Sequence, residues 1–290
     1  MAYEREFDFS ENDFVIIKTR IKDIAGIHLS DRKKDMVYSR LARRLRSLNL
    51  KRIADYLKLI DDDEQELINF VNSLTTNLTS FFREKHHFEY LADPIVPELV
   101  RLNRHDKKIR IWISASSTGE EAFSTAFTLC ESIQDWRNWD IKILATDLDS
   151  NVIRDSKTGI YPKSRIEGLD EKLVQKYFLN GSGKNRDFCR VKPEILSLIS
   201  FKEFNLIAPE WRLKKQFDVV FCRNVLIYFD KETQQQVLRS ILKVLKNEGH
   251  LFLGHSESIG DLKNQTTHLG KTWFRNIPDT QSSSKVSLCG

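Results

Sequence analysis

The stretch that decides the fold is IRIWISASSTGEEAFS, residues 109–124. Its first five residues form a short run with apolar side chains on both faces, which is typical of a central strand in a parallel sheet covered on both sides. Small residues and a single glycine, Gly119, follow, and then two glutamates open a helical pattern. A strand, a tight loop and a helix start in this order predict a ligand-binding loop at the carboxyl end of a strand.

Three more apolar runs of the same kind follow this stretch. They are IKILA (141–145), FDVVFC (217–222) and HLFLG (250–254). Amphipathic helices are predicted between some of them, most clearly over residues 231–246, with Gly249 just past the end. Strands that alternate with helices predict a doubly wound α/β domain.

The N-terminal part of the chain has a different pattern, without β-like alternation. Ser10 and Asp13 fit a capping box, Gly26 fits a helix C-terminus, and Ser30 is a candidate cap for the next helix. Two further helices are predicted around residues 53–60 and 64–74. The sequence therefore predicts an all-helical N-terminal domain over residues 1–75, followed by the α/β domain over residues 76–290.

The alternation of strands and helices is interrupted at about residues 160–200. The residues around Gly181 and Gly183 mark a turn, and CRVKP (189–193) and ILSLISF (195–201) alternate like short antiparallel strands. This pattern predicts a small antiparallel β-subdomain inserted at about 160–200. The polar residues after about Thr280 are expected to be mobile.

Composition narrows the class of protein. The chain has 290 residues, 40% of them hydrophobic and 30% charged, and no apolar run reaches the roughly 18 residues of a membrane span. The polar, acidic N-terminus does not fit a signal peptide. Four scattered cysteines and the adjacent pair His86-His87, which do not share a helix face, predict no metal site. We expect a cytoplasmic monomer.

The net charge of +5 is unevenly distributed. Residues 31–52 hold nine Lys or Arg against two Asp, a local net charge of +7, so the remaining residues together carry −2. One segment is thus basic, and the chain as a whole is not. An ordinary solvated helix is one explanation of such a segment.

Acidic residues follow the first two predicted strands. Glu120 and Glu121 come after the first strand and disfavour a pyrophosphate, but suit a ligand with positive charge; alternatively, they only favour the helix dipole. Asp147 ends the second strand and is placed to accept hydrogen bonds from ribose hydroxyls. Asp149 is the alternative for that role, or it caps the next helix. Together these features point to S-adenosylmethionine instead of NAD.

Two other segments carry candidate polar groups. Arg223, Asn224 and Tyr228 follow the FDVVFC run, where ligands of α/β sheets bind. In TTNLTSFFRE (75–84) the polar side chains are either ligand contacts or a helix cap with packing residues. The stretch GHSES (254–258) resembles a hydrolase elbow, but serine replaces its last glycine, and too little chain follows for the remaining catalytic residues.

The chain resembles a known family, the bacterial chemotaxis receptor methyltransferases of the CheR type, over nearly all its length. The resemblance rests on several long motifs in the right order: KDMVYSRLARRLRSL (34–48), SLTTNLTSFFRE (73–84), STGEE (117–121), ATDLD (145–149), FNL (204–206), FCRNVLIYF (221–229) and GHSES (254–258). It implies a class I, Rossmann-like S-adenosylmethionine-dependent methyltransferase domain with a small β-subdomain, preceded by a helical domain. It also implies methyl esterification of receptor glutamates, with S-adenosylhomocysteine as the product.

The resemblance also assigns roles to residues. By motif, Arg83 and Tyr228 lie nearest the transferred methyl group, Glu121 is the cofactor contact, and Glu120 only begins a helix. The implied cofactor contacts are Asn77, Thr79, Arg83, Glu121, Asp147, Asn205, Leu206, Arg223 and Asn224.

Implied partners are the acidic methylation helices of the receptors, and for some family members a receptor C-terminal peptide at the β-subdomain. The basic residues expected to dock these helices are Lys33, Lys34, Arg40, Arg43, Arg44 and Arg46. Two other functions are weighed against this one. A nucleic-acid methyltransferase is disfavoured because the N-P-P-Y type motif is absent, and an inactive receptor adaptor is disfavoured by the complete set of cofactor residues.

Overall fold

The structure is a computed structural model that describes residues 5–213 and 216–277. The predicted mobile tail after Thr280 lies outside the described residues. Within the described ranges, no helix combines the length and the apolar character that a membrane span requires.

Four helices make up the N-terminal part, as the sequence predicts. They are α1 (Glu11–Ala25), α2 (Lys34–Ser47), α3 (Ile53–Asp62) and α4 (Glu64–Leu74). The capping box at the start of α1 is confirmed: Ser10 Oγ accepts the Asp13 N–H, and the Asp13 carboxylate accepts the Ser10 N–H. Gly26 ends α1 in the left-handed conformation. Ser30, in contrast, makes no side-chain cap, because a 3₁₀ turn (Asp31–Lys33) leads directly into α2.

The remaining helices belong to the α/β part. They are α5 (His86–Tyr90), α6 (Val96–Leu102), α7 (Glu120–Ser132), α8 (Ser150–Thr158), α9 (Glu171–Tyr177), α10 (Pro193–Leu196) and α11 (Lys231–Val244). A π-helical turn (Leu91–Ile95) joins α5 to α6. The strands are β1 (Lys108–Ile113), β2 (Asp140–Asp147), β3 (Ile160–Pro162), β4 (Phe178–Asn180), β5 (Phe188–Val191), β6 (Ile199–Glu203), β7 (Phe217–Cys222), β8 (Leu245–Leu253), β9 (Thr266–Gly270) and β10 (Trp273–Asn276).

The main sheet has seven strands in the order β6-β2-β1-β7-β8-β10-β9. The first five of these strands are parallel, whereas β10 pairs antiparallel with β8 and with β9. Successive residues of β1 and β7 alternate between two cores. Ile111 and Phe221 pack with α7, while Trp112 and Val220 pack with α11. Both faces of the sheet are therefore covered, which confirms the doubly wound α/β class.

A separate antiparallel sheet, in the order β3-β5-β4, forms the predicted β-subdomain. The turn near Gly183 joins β4 to β5, as expected. The prediction was wrong for ILSLISF (195–201), because Ile199–Glu203 pairs in parallel with β2 as the edge strand of the main sheet. Alternation of apolar residues identifies a strand but not its partner, and here the partner lies much earlier in the chain.

Helix α11 also ends slightly earlier than predicted, at Val244. The Asn276 side chain of β10 donates to the carbonyls of Leu242, Leu245 and Lys246, groups that have no partner within the helix. Leu245 then pairs with Phe217 at the start of β8. The helix boundary is thus set by strands from other parts of the chain.

Several contacts join the helical domain to the α/β domain. The His28 N–H donates to the Tyr228 carbonyl (2.7 Å), and the Asn205 amide donates to the Ile24 carbonyl (2.8 Å). Lys22 pairs with Asp230, the cap of α11. These contacts hold the C-terminal end of α1 against the loops at the carboxyl ends of the parallel strands.

Candidate functional site

A cleft lies between the helical domain and the carboxyl ends of the parallel strands. Its open volume, including the solvent at its mouth, is about 1030 Å³. All ten residues that the sequence assigned to the cofactor or the methyl group line it: Asn77, Thr79, Arg83, Glu121, Asp147, Asn205, Leu206, Arg223, Asn224 and Tyr228. Of the six basic docking candidates, only Lys33 lines it.

The loop after β1 is fixed by neighbouring strand ends. The Ser114 N–H donates to the Phe221 carbonyl on β7, and the Ser116 N–H donates to the Thr146 carbonyl on β2. The loop ends at Gly119, whose φ of +98° is open to glycine but strained for other residues. A Cβ there would also lie 2.9 Å from Ser156 Cβ. The single glycine of the motif is therefore required by its backbone and its surroundings.

The two aspartates at the end of β2 have different roles. Asp147 accepts the Ser117 N–H (2.8 Å) and the Asp149 N–H (3.0 Å), one at each carboxylate oxygen. It faces the cleft, and each oxygen keeps a lone pair for a further donor. Asp149 is buried, caps α8, and accepts hydrogen bonds from Thr75 and from Asn77 (both 2.8 Å). The alternative that Asp149 is a helix cap is confirmed.

Asn77 and Asn205 are held by the protein itself. Asn77 donates to Asp149, and its carbonyl accepts the Ser117 hydroxyl (3.1 Å). The Asn205 side chain accepts the Ile207 N–H and donates to the carbonyl of Ile24. Both amides therefore shape the wall of the cleft.

A buried guanidinium lies at the centre of the site. The Arg223 side chain is fully buried and pairs with Glu121 (2.6 Å) and with Glu84 (3.4 Å). It also donates to the Arg83 carbonyl (2.5 Å). A buried charge needs partners of this kind, because an isolated one loses its hydration without compensation. The backbone turns sharply here, since Phe82 and Glu84 both have left-handed φ angles.

The pKa values of the two carboxyls beside Arg223 are shifted in opposite directions. Burial would raise the pKa of Glu84, but the Arg223 guanidinium and hydrogen bonds from His255 and Asn224 bring it down to about 2. Burial raises the pKa of Glu121, and the guanidinium of Arg223 works against that shift. The two carboxyls therefore lie beside the same buried guanidinium but differ in how readily they ionise.

Glu84 also lies near two histidines. Glu84, His86 and His87 each bring one potential ligand atom within 4.8 Å of the others. However, Arg223 lies 3.4 Å from Glu84 Oε2, the same oxygen that faces His87 Nδ1 at 3.6 Å. A metal ion there would be repelled by the guanidinium. Burial, helped by the charge of Arg223, lowers the pKa of His87 to about 3, so His87 is neutral at physiological pH.

The prediction that Glu120 only begins a helix was wrong. Its side chain is completely buried, accepts the Thr118 hydroxyl (2.6 Å) and lies 3.5 Å from the Arg165 guanidinium of the β-subdomain. Arg165 also donates to the Thr79 carbonyl (3.0 Å), and the Tyr161 hydroxyl donates to the Thr118 carbonyl (2.6 Å). The β-subdomain thus contacts both the 75–84 segment and the loop after β1, a connection that no local pattern in the sequence indicates.

The basic segment does not form one free surface. Arg44 pairs with buried Glu66, Lys34 pairs with Glu11, and Arg46 pairs with Glu6. The prediction missed these pairs because the acidic partners come from other parts of the helical domain. The two remaining arginines differ from each other. Arg40 donates to the Thr75 carbonyl (2.6 Å), while Arg43 is exposed and makes no ion pair with any described residue.

Lys33 and Tyr228 meet at the mouth of the cleft. The Lys33 ammonium lies 5.4 Å from the centre of the Tyr228 ring, a distance at which a cation and a ring attract each other. Tyr228 ends the 3₁₀ turn (Leu226–Tyr228) after β7. The basic segment and the loop that carries Arg223 therefore contribute to the same opening.

Comparison with known proteins agrees with this arrangement. The family model for the CheR methyltransferase all-alpha domain matches residues 12–75, and the model for the CheR methyltransferase SAM binding domain matches residues 77–275. Chemotaxis protein methyltransferase 2 of Pseudomonas aeruginosa is 41% identical over 93% of this chain and 95% of its own length. The chemotaxis protein methyltransferase of Escherichia coli is also 41% identical, over 91% of each chain.

A more distant relative is similar over nearly the same length. The chemotaxis protein methyltransferase of Borreliella burgdorferi is 36% identical over 87% of this chain and 89% of its own. Two adjoining family models, a doubly wound sheet and a cleft at its carboxyl edge agree with one another. The chain therefore belongs to the CheR methyltransferase family, with an all-helical domain followed by an S-adenosylmethionine-binding domain.

Proposed function

We propose that this protein transfers the methyl group of S-adenosylmethionine to glutamate side chains of chemotaxis receptors and forms methyl esters there. The observation that carries the proposal is the composition of the cleft. Its walls combine the cofactor candidates Asp147, Glu121 and Arg223 with Lys33 of the basic segment. An acidic acceptor would thus be drawn to the place where the methyl donor binds. The names of the relatives support chemotaxis as the setting.

The charge of the cleft fits this cofactor. Glu84 and Glu121 both lie beside the Arg223 guanidinium, and Glu121 lines the cleft, so a cation placed there would have a carboxylate partner. The sulfonium of S-adenosylmethionine is such a cation. Asp147, held by two backbone N–H groups, keeps acceptor capacity for the two ribose hydroxyls. We assign the cofactor to Asn77, Thr79, Arg83, Glu121, Asp147, Asn205, Leu206, Arg223 and Asn224.

The chemistry requires little from the protein beyond orientation. When bound, the cofactor would supply an electrophilic methyl carbon on a sulfonium sulfur, which is a good leaving group because it departs as a neutral thioether. A glutamate carboxylate is ionised at neutral pH, with a reference pKa near 4.3, so no base has to remove a proton. Arg83 and Tyr228 line the cleft and hold the acceptor oxygen in line with the methyl group. Alignment of this kind contributes several kcal/mol.

We expect the receptor helix to dock on those basic residues of the segment that make no ion pair with another described residue. Lys33 at the mouth and exposed Arg43 on α2 present positive charge without an intramolecular ion pair among the described residues. Arg40 lies between them in sequence and has no carboxylate partner among the described residues. Its guanidinium donates to the carbonyls of Ser73 and Thr75 and to the Thr76 hydroxyl. Of the six basic docking candidates, three therefore remain: Lys33, Arg40 and Arg43.

We propose that residues 1–75 form the receptor-docking domain and that residues 76–290 form the methyltransferase domain. Docking through the first domain would recruit the protein to receptor arrays.

The β-subdomain offers a second receptor contact. Ile160, Leu179 and Phe188, one from each strand, are exposed apolar residues. Ile160 and Leu179 both lie opposite Arg190 of the central strand, so an apolar face with a positive charge points outward. Among the described residues, β4 is an edge strand that pairs only with β5, so its other edge can accept an added strand. We propose that a receptor C-terminal peptide binds here. Calorimetry that detects no heat with such peptides at millimolar concentration would refute this part.

The test of the proposed function is a methylation assay with tritiated S-adenosylmethionine and receptor-containing membranes. We expect label in the receptor that mild base releases as methanol, the behaviour of a carboxyl methyl ester. Membranes without receptors are the control. The variant Arg83→Ala should lose most of its turnover, and because Arg83 is also assigned to the cofactor, its Kd for S-adenosylmethionine should rise as well. Intact cofactor binding with full turnover would remove Arg83 from the site. Base-stable label, or label in nucleic acid, would contradict the proposal.

Docking predicts a specific effect of charge reversal. Arg43→Glu should raise the KM for receptor by about tenfold, which corresponds to about 1.4 kcal/mol, and should weaken the salt dependence of KM. The reason is that charges at a docking surface steer the encounter of the two partners and fix their relative position. Arg239→Glu is the matched control, because Arg239 is also exposed but lies on α11. Equal KM values for the two variants would argue against docking through α2.

A further inference from the structure

A buried carboxylate outside the cleft organises the loop that carries three of the site residues. Glu257, in the segment after β8, is 8% exposed. Its Oε2 accepts the Gly254 N–H (2.6 Å) and the Asn224 N–H (2.9 Å). Its Oε1 accepts the Leu226 N–H (2.8 Å) and, more weakly, the Ile227 N–H (3.4 Å). One side chain therefore satisfies four backbone donors of two loops.

This arrangement fixes an unusual backbone shape. Asn224 has a φ of +57°, in the left-handed region that most residues avoid. The carboxylate compensates by accepting the Asn224 N–H and the donors two and three residues later. The two loops are also closely interlocked, since a Cβ on Gly254 would lie 2.8 Å from both the Asn224 nitrogen and Glu257 Oε2. Only an acceptor with two free oxygens fits this set of donors.

The loop held in this way carries Arg223, Asn224 and Tyr228, all of which line the cleft. Glu257 is absent from the lining, so it acts through these residues. The shape of the loop directs the Arg223 guanidinium to Glu121 and the Asn224 amide to Glu84 (3.2 Å). We propose that Glu257 is a positioning residue for methyl transfer, which holds the loop after β7 in the shape that aligns Arg223, Asn224 and Tyr228. This inference rests on the proposed roles of those three residues.

A purely structural role is the competing explanation, and β7 supplies a matched control. Asp218, near the start of the same strand, is also a buried carboxylate, 4% exposed. It accepts the Arg110 N–H (2.7 Å) and pairs with Lys246 (2.6 Å). It lies at the opposite end of the strand from the cleft. Loss of Asp218 should therefore disturb the fold as much as loss of Glu257, but without an effect on the reaction.

The experiment compares Glu257→Gln with Asp218→Asn at a temperature well below both Tm values. The glutamine places an NH₂ group against two N–H donors, so the loop must shift. We expect kcat to fall about 100-fold, since a misplacement of about 1 Å can cost that much. The Kd for S-adenosylmethionine should rise less than tenfold, because Asp147 and Asn77 belong to other loops. Asp218→Asn should change kcat less than twofold. A folded Glu257→Gln with wild-type kcat, or an equal loss in Asp218→Asn, would overturn the inference.

A second variant keeps the test decisive if Glu257→Gln does not fold. Gly254→Ala leaves every charge in place and adds one methyl group to the contact between Asn224 and Glu257. It should lower kcat in the same way, and wild-type kcat in this variant would contradict the inference.

Hydrogen exchange at the amides of Asn224 and Leu226 adds a measurement that needs no receptor. Faster exchange in the Glu257 variant supports the positioning role, and unchanged exchange opposes it. Failure of the wild-type enzyme to esterify receptors would count only against the proposed function.

Discussion

At the scale of single residues, identical side chains a few positions apart have unrelated roles. Arg43 is exposed, whereas Arg44, its neighbour, pairs with Glu66, which is 4% exposed and also accepts the Tyr56 hydroxyl (2.8 Å). Removal of one partner of a buried pair costs about 3–5 kcal/mol, because the other charge stays buried. Arg44 thus neutralises a buried carboxylate of the helical domain from a partly exposed position. The sequence presents both residues simply as arginines in one basic segment.

Asp147 provides a prediction at this scale. Asp147→Asn should raise the Kd for S-adenosylmethionine by tenfold or more, since a hydrogen bond to a charged group contributes about 1.5–3 kcal/mol. Isothermal titration calorimetry measures this directly. The matched control is Asp63→Asn, because Asp63 also accepts two backbone N–H groups but caps α4 in the helical domain. A cofactor affinity that is unchanged in Asp147→Asn would remove Asp147 from the cofactor site.

At the scale of elements, the β-subdomain is part of the construction of the cleft. Glu120 is buried against Thr118 and Arg165, and Tyr161 of β3 donates to the carbonyl of Thr118. Phe81, in the 75–84 segment, packs edge to face on Tyr161 (5.1 Å between ring centres). The inserted sheet therefore supports both walls of the cleft at once.

This arrangement predicts that Arg165→Ala weakens cofactor binding. Arg165 restrains the Thr79 carbonyl and lies beside Glu120, so its loss loosens the 75–84 segment and leaves Glu120 with only the Thr118 hydroxyl. We expect a five- to tenfold higher Kd for S-adenosylmethionine, about 1–1.4 kcal/mol. Arg186→Ala is the control, because Arg186 is an exposed arginine of the same subdomain. If both variants bind the cofactor like the wild type, the β-subdomain does not support the cofactor site.

At the scale of the whole molecule, buried neutral histidines connect stability to pH. His250, on β8, is 1% exposed, and Trp273 of β10 donates to its Nδ1 (3.1 Å). Burial, together with the positive charge of Arg275, lowers the pKa of His250 to about 3. In the unfolded chain the same group titrates near 6.5. Between these two values the unfolded state binds a proton that the folded state does not, so the free energy of unfolding falls as pH decreases below about 6.5.

The predicted effect is measurable in one variant. From pH 7.5 to 5.5 the wild type should lose about 1.4 kcal/mol more free energy of unfolding than His250→Asn, since each pH unit below the unfolded pKa contributes about 1.36 kcal/mol per group. Asparagine keeps an acceptor for Trp273 and does not titrate. Urea unfolding at several pH values gives both curves. Parallel curves for the two proteins would show that His250 takes up its proton equally in both states.

The sequence by itself determined the features that depend on neighbouring residues. The capping box at Ser10, the stop at Gly26, the four central strands and the single glycine of the cofactor loop follow from caps, periodicity and backbone freedom, all of which act within a few residues. The positions of Glu121, Asp147 and Arg223 at one edge of the sheet also follow from the sequence, because parallel strands end together. The other site residues were assigned by the family resemblance, and the structure places them along the same cleft.

Only the tertiary structure decided which charges meet. Arg44 with Glu66, Arg165 with Glu120, Arg223 with Glu84, and Glu257 with the loop after β7 join residues that lie far apart in the chain and on different elements. The same holds for Ile199–Glu203, whose partner β2 could not be read from its own alternation. Burial makes these pairings energetically decisive, and burial is a property of packing that no short stretch of sequence contains.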